Sequence, residues 1–288
     1  MKNIVVVGNS VAGISCAKTI RDSDKESKIT IISEESRPGY LRYRLFDFFN
    51  GRIKESELFF PYKDFYMAKS IELLLNKRVV NIDERKKRIY FKDSGFVDFD
   101  VLVLACGRKP KLPEIKGITK KGVFSFYYFN EVKEIIEMLP IVNTVAIIGS
   151  NSIASQLVSF FSTRKIDTKW FSNQANLENN DFIEIISGSS IAEILGNGDV
   201  KAIRLSNNKV IGVNLIIFTD NLVVNTDLVK DTSIAFQNGI LVDNKMSTNI
   251  ENIFAAGDVA QFLDKEKQYS WLEAEQEGIT AGRSICQI

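Results

Sequence analysis

Several stretches of the chain are apolar without interruption, and each ends on a glycine or another small residue. NIVVV (3–7) stops at Gly8, and KITIIS (28–33) stops before Glu34 and Glu35. DFDVLVLACG (98–107) and NIFAAGDV (252–259) close in small-residue turns. Runs of this kind predict strands buried on both faces, as in a parallel sheet; a half-exposed strand would alternate. A helical periodicity from Val11 to about Arg21 lies between the first two runs and completes a strand–turn–helix–strand unit. The outline returns at TVAIIGSNSIASQLV (144–158), after the proline-rich crossing KPKLPEIKG (109–117) and a helical stretch over 130–139. DERKKR (83–88) joins two strands and predicts a solvated hairpin. FSFYYF (124–129) has no interleaved basic residues and predicts a buried strand leading into a helix.

The first turn, GNSVAG (8–13), places Gly8, Ser10 and Gly13 at the positions of a G-x-G-x-x-G dinucleotide turn. Gly8 allows the tight turn, and Gly13 lets the helix approach the strand. Ser10 adds a Cβ where backbone should approach phosphate, and its hydroxyl offers a compensating donor. Glu34 follows Gly13 by 21 residues (34 − 13), close to the spacing of a carboxylate that takes a ribose 2′-hydroxyl. The free N–H groups and positive end of the following helix attract a pyrophosphate. In the second turn Gly149 remains, but Asn151 and Ala154 replace the other two glycines. TKWFS (168–172) ends without an acidic residue, and the loop NQANLENN (173–180) stands where a helix is usual.

At 288 residues the chain has room for two domains, and 45% apolar with 25% charged residues is ordinary for a globular protein. A net charge of +1 gives no electrostatic reason to expect a nucleic-acid or anionic-membrane partner. The apolar runs are too short to span a bilayer, and MKN leads straight into a strand, so the expected address is the cytoplasm. There is no histidine, and Cys16, Cys106 and Cys286 form no C-x-x-C. This excludes Ser-His and Cys-His nucleophiles, histidine-ligated metals and a local dithiol centre. No residue qualifies as an acid–base catalyst, so any redox chemistry belongs to a bound cofactor.

These segments together resemble the FAD-dependent pyridine nucleotide-disulfide oxidoreductases, nearest to the rubredoxin-reductase and nitrite-reductase-type branch. The matching residues are GNSVAG (8–13), ITIISEE (29–35), YLRYRL (40–45) with NGRIKESELFF behind it, IELLLNKRVVNID (71–83), FDVLVLACG (99–107) and GILVDNKMSTNIENIFAAGDVAQF (239–262). The resemblance implies an α/β fold of two Rossmann-like domains with central parallel sheets and β-meander excursions. The FAD-binding domain would comprise 1–110 plus 238–288 and the NAD(P)H-binding-like domain 111–237. The expectation from the chain's end at Ile288 is a natural short form lacking the family's third, interface domain. For FAD it implies Gly8, Ser10, Val11, Ala12 and Gly13 at the pyrophosphate, and Glu34 with Glu35 at the adenosine ribose. Arg42 would contact the phosphates and Val79 the adenine through its backbone. Ala105, Cys106 and Gly107 stand for Ala-Thr-Gly, with Cys106 a small buried filler, and Arg108 and Lys111 face phosphate. Gly257 and Asp258 hold the ribityl chain, and Ser270 and Trp271 begin the segment that passes the isoalloxazine, although for Trp271 a core anchor is equally open.

In the second domain Gln156 stands for the family's Glu, and DNLVVN (220–225) carries Asn221 for Gly and Val224 for Pro. The expectation is a degenerate nicotinamide domain that binds NAD(P)H weakly or not at all. Arg164, Lys165 and Lys169 leave an NADPH-leaning site open. Two functions follow: an FAD-binding oxidoreductase passing electrons from NAD(P)H to a small acceptor protein or other acceptor, or a flavin-binding electron relay or interaction subunit that has lost NAD(P)H.

Overall fold

The structure is a computed structural model, and it describes residues 1–60, 64–175, 177–264 and 266–288. The chain divides into two compact units. The first comprises Met1–Leu41, Phe59–Lys109 and Val224–Ile288, and the second comprises Arg42–Leu58 and Pro110–Val223.

The first unit is built on a five-stranded parallel sheet. Asn3–Val7 lies between Lys28–Ile32 and Val101–Leu104, Ile71–Leu74 flanks Lys28–Ile32, and Ile253–Ala255 flanks Val101–Leu104. The apolar runs behave as their sequence requires: Ile4–Val7, Ile29–Ile32 and Val101–Leu104 are buried on both faces. Helix Val11–Ser23 packs against helix Trp271–Ile285, and the approach is close because Gly278 faces the Ala12 carbonyl, where a Cβ would sit 2.2 Å from the oxygen. The antiparallel excursion Val79–Asp83, Arg88–Phe91 and Phe96–Asp98 turns at 84–87, so DERKKR forms the solvated hairpin connection expected of it.

The second unit repeats the plan. Thr144–Ile148 lies between Asp167–Phe171 and Leu215–Phe218, with Ile183–Ile186 and Val123–Ser125 outside them, all parallel. Its own excursion is the meander Ile191–Leu195, Ala202–Leu205 and Val210–Gly212. Phe46, Phe49, Phe126, Phe160 and Phe161 form an aromatic cluster in this unit, with Phe49 and Phe160 ring centroids 4.3 Å apart. FSFYYF is therefore structural, with Phe124, Phe126 and Phe129 buried. No helix lies between Asp167–Phe171 and Ile183–Ile186 among the described residues, and Asn176 of that loop lies outside them.

Candidate functional site: two nucleotide turns

Register fixes where the turns meet. Val7 pairs with Ile32 and with Leu104, and Leu104 pairs with Ala255. Gly8, Ser33–Glu34, Ala105–Gly107 and Ala256–Asp258 therefore leave the sheet together at the carboxyl ends of its strands, beside the point where strand order reverses. Ligands of open α/β sheets bind at such points.

Gly8 has φ +127°, and a Cβ there would lie 2.1 Å from the Ala105 carbonyl oxygen. Only glycine permits this contact. Ser10 is the N-cap of helix Val11–Ser23, but its side chain makes no capping hydrogen bond, so the first-turn amides are left without a side-chain cap. Asn9 Oδ1 accepts from Tyr66 Oη at 2.7 Å, and the Gly39 amide donates to the same hydroxyl at 3.2 Å. The Asn9 Nδ2 donor is buried without a partner. A buried orphan donor in the same turn as uncapped helix amides fits an anionic dinucleotide.

The other expected residues fall as follows. Val11, Ala12 and Gly13 are buried in the first helical turn, and Val79 is buried at the start of its strand. Glu34 is half exposed, 3.8 Å from Arg78 Nε, and Glu35 accepts from Tyr40 Oη at 2.9 Å. Cys106 points its thiol at the Asn225 carbonyl, 3.5 Å away, and burial pushes the thiol up to about 12, so it stays neutral. Arg108 and Asp258 hold each other, Nε donating to Oδ2 at 2.8 Å, with the guanidinium 4.0 Å from the Tyr269 ring centroid. Ser270 caps the closing helix by accepting from the Glu273 amide at 3.1 Å. Trp271 packs edge-on to Phe60 at 5.7 Å, as a core anchor would.

Arg42 belongs to the second unit, where Nη1 donates to the Tyr127 carbonyl at 2.5 Å and the guanidinium lies over the Tyr127 ring. Lys111, also in the second unit, is exposed, and its backbone amide donates to Asn221 O. Sequence reading missed the Tyr66–Asn9 pair, although Asn9 stood in the quoted turn. It also missed Lys267, whose Nζ lies 2.5 Å from Glu277 Oε1, while Glu277 Oε2 accepts from the Gly257 amide at 2.8 Å. No local pattern announces that pair, because Lys267 sits in an ordinary polar run.

The second turn is built differently. Gly149 is held at φ +143°, its amide on Phe171 O and its carbonyl taking the indole N–H of fully buried Trp170 at 2.8 Å. Asn151 caps helix Ser152–Thr163 by accepting from the Ala154 amide at 2.9 Å, and it donates to Thr219 O at 2.7 Å. The Ser150 amide donates to Asp220 Oδ2 at 2.6 Å, and the Ser150 and Ser172 hydroxyls are 2.9 Å apart. Lys169 is held by Asp167 and Glu184, each at 2.9 Å, and Arg164 folds over the Phe160 ring. Among the described residues no group of three or more His, Cys, Asp or Glu could hold a metal, and no helix is long and apolar enough to cross a membrane.

The family model described as pyridine nucleotide-disulphide oxidoreductase matches residues 2–278. A nitrite reductase [NAD(P)H] of Bacillus subtilis is 26% identical over 278 residues, covering 90% of this chain and 34% of the relative. An NADH oxidase of Methanocaldococcus jannaschii is 25% identical over 315 residues, covering 99% of this chain and 70% of the relative. The chain thus spans about a third of the first relative. In fold it resembles the putidaredoxin reductase of a covalent putidaredoxin reductase–putidaredoxin complex, with a TM-score of 0.89 at 19% identity over 99% of this chain and 75% of that one. The family match runs unbroken through the second turn. It goes against the expectation that this unit has lost pyridine nucleotide; Asn151 and Ala154 replace glycines there without breaking the strand–turn–helix frame. The chain belongs to the pyridine nucleotide-disulphide oxidoreductase family.

Proposed function

We propose, from that family membership, that this chain is an FAD-dependent NAD(P)H oxidoreductase that delivers electrons to a small acceptor protein or another acceptor. The observation that carries the reading is the contrast between the turns: the first leaves its helix amides uncapped and the Asn9 Nδ2 donor orphaned, a cradle that fits a dinucleotide. In this reading the first unit, Met1–Leu41 with Phe59–Lys109 and Val224–Ile288, supplies the FAD site, and the second takes the pyridine nucleotide; these bounds replace the expected 1–110 plus 238–288 and 111–237. Gly8, Ser10, Val11, Ala12 and Gly13 would hold the pyrophosphate, with Asn9 added as a donor. Glu34 and Glu35 lie at the sheet edge suited to the ribose, and Ala105, Cys106 and Gly107 complete the wall. Bound FAD would accept hydride equivalents and pass electrons onward. The chain's own part is to bind, orient and exclude water. Cys106, whose thiol burial keeps neutral, supplies no nucleophile.

The acceptor is the finer part of the proposal. The fold neighbour is a reductase captured with its putidaredoxin, which makes a small electron-carrier protein the first candidate, while the relatives named as a nitrite reductase and an NADH oxidase keep a small-molecule acceptor as the second. Adding NADH or NADPH to FAD-loaded protein under nitrogen is expected to bleach the yellow absorbance within the mixing time or shortly after. Bleaching by dithionite alone would overturn the reading.

A further inference from the structure

The two units carry the same register, so their turns can be compared position by position. Leu104 pairs with Val7 and Phe218 with Ile148. Gly8 therefore corresponds to Gly149, Ala105 to Thr219, and Cys106 to Asp220. Where the first turn has a neutral thiol aimed away at Asn225, the second has a carboxylate aimed at the turn itself. Asp220 Oδ2 takes the Ser150 amide at 2.6 Å and lies 2.9 Å from the place a Gly149 Cβ would occupy. That carboxylate is an internal anion in the cradle a pyrophosphate would use. A pyrophosphate arriving there meets like charge and a donor already taken.

We infer that Asp220 sets the pyridine-nucleotide affinity of the second turn, its carboxylate standing in for the incoming pyrophosphate and giving way when the coenzyme binds. The inference rests on the proposal that this unit takes NAD(P)H. Asn151 reinforces the closed form from the other side, since its caps on Ala154 N and Thr219 O rebuild with side-chain atoms the contacts that the glycine turn leaves open. A turn that carries its own anion keeps its amides satisfied while empty. It yields a weaker, more easily exchanged coenzyme than an open turn.

The test is calorimetric titration of full-length FAD-loaded protein with tetrahydro-NADH and tetrahydro-NADPH, redox-inert mimics of the reduced coenzymes. Asp220→Asn keeps the shape and removes the charge, and Asp220→Ala removes both. Each variant is expected to bind the preferred mimic about tenfold more tightly, equivalent to about 1.4 kcal/mol. A merely structural Asp220 would give looser binding and a lower melting temperature. Unchanged or weaker affinity in both variants, with the wild type binding, would overturn the inference and leave the proposed function standing. Absence of binding by wild type and variants alike would overturn both.

Discussion

A Gly8→Ala variant is expected to emerge colourless and to lose roughly 2–6 kcal/mol of stability. Two effects add. The residue sits at φ +127°, where an L side chain is strained by about 1–3 kcal/mol. The new methyl would also lie 2.1 Å from the Ala105 carbonyl oxygen and 2.5 Å from its carbon. Overpacking of that kind costs about 1–3 kcal/mol once the surroundings shift. The carbonyl cannot swing aside cheaply, because Ala105 N donates to Val7 O at 2.8 Å and Ala256 N to Leu104 O at 3.0 Å. The sheet edge must open, and that edge is the proposed FAD cradle. Urea unfolding and the flavin content of purified protein measure the two losses together. A variant with unchanged midpoint and full colour would contradict the account of this turn.

Lys267→Met is expected to destabilise by about 3–5 kcal/mol near neutral pH, the range for leaving one partner of a buried ion pair uncompensated. The side chains of Lys267 and Glu277 are only 9% and 6% exposed, and Glu277 also holds the Gly257 amide. Burial pushes the Glu277 carboxyl above the usual carboxylate range, and Lys267 holds it down. Removing the ammonium lets the carboxyl rise further. The sign follows from its folded value lying above its unfolded one: protonation favours the native state, so the penalty is largest at high pH. It shrinks as pH falls through the raised folded value toward the ordinary glutamate range. Chemical denaturation of wild type and variant across pH measures this, and Lys267→Met combined with Glu277→Gln should recover most of the loss. A small, pH-independent effect would show that the pair does not hold the Gly257–Asp258 turn.

Much of the fold was legible because its strands are buried on both faces. NIVVV and VLVL have no alternation to mislead, and NIVVV stops at Gly8, where the Ala105 carbonyl leaves no room for a side chain. The first turn was legible because the Ala105 carbonyl oxygen, although 97 positions away (105 − 8), admits only one residue type at position 8, and glycine is a trace that can be read without knowing the partner. The pairs formed across the fold left none. Tyr66 reaches Asn9 from 57 positions away and Lys267 meets Glu277 across a turn, and neither spacing belongs to a recurring motif. Arg42, which the family resemblance assigns to the FAD phosphates, lies in the second unit with its guanidinium over the Tyr127 ring, a placement that no local pattern announces. The second turn misled in a different way. Two missing glycines were read as lost binding, whereas the chain keeps the strand–turn–helix frame and supplies Asn151 and Asp220 to satisfy its amides. Asp220 lies 70 residues beyond Ser150, so only the sheet register reveals that the two meet.

The central claim is that the first turn, with its helix amides uncapped and the Asn9 donor orphaned, is the seat of FAD. Flavin-stripped, refolded full-length protein titrated with FAD, followed by quenching of flavin fluorescence, tests it. The account predicts a saturable break at one FAD per chain that Gly8→Ala abolishes. Fluorescence that rises linearly with added FAD, as for free cofactor, would contradict it.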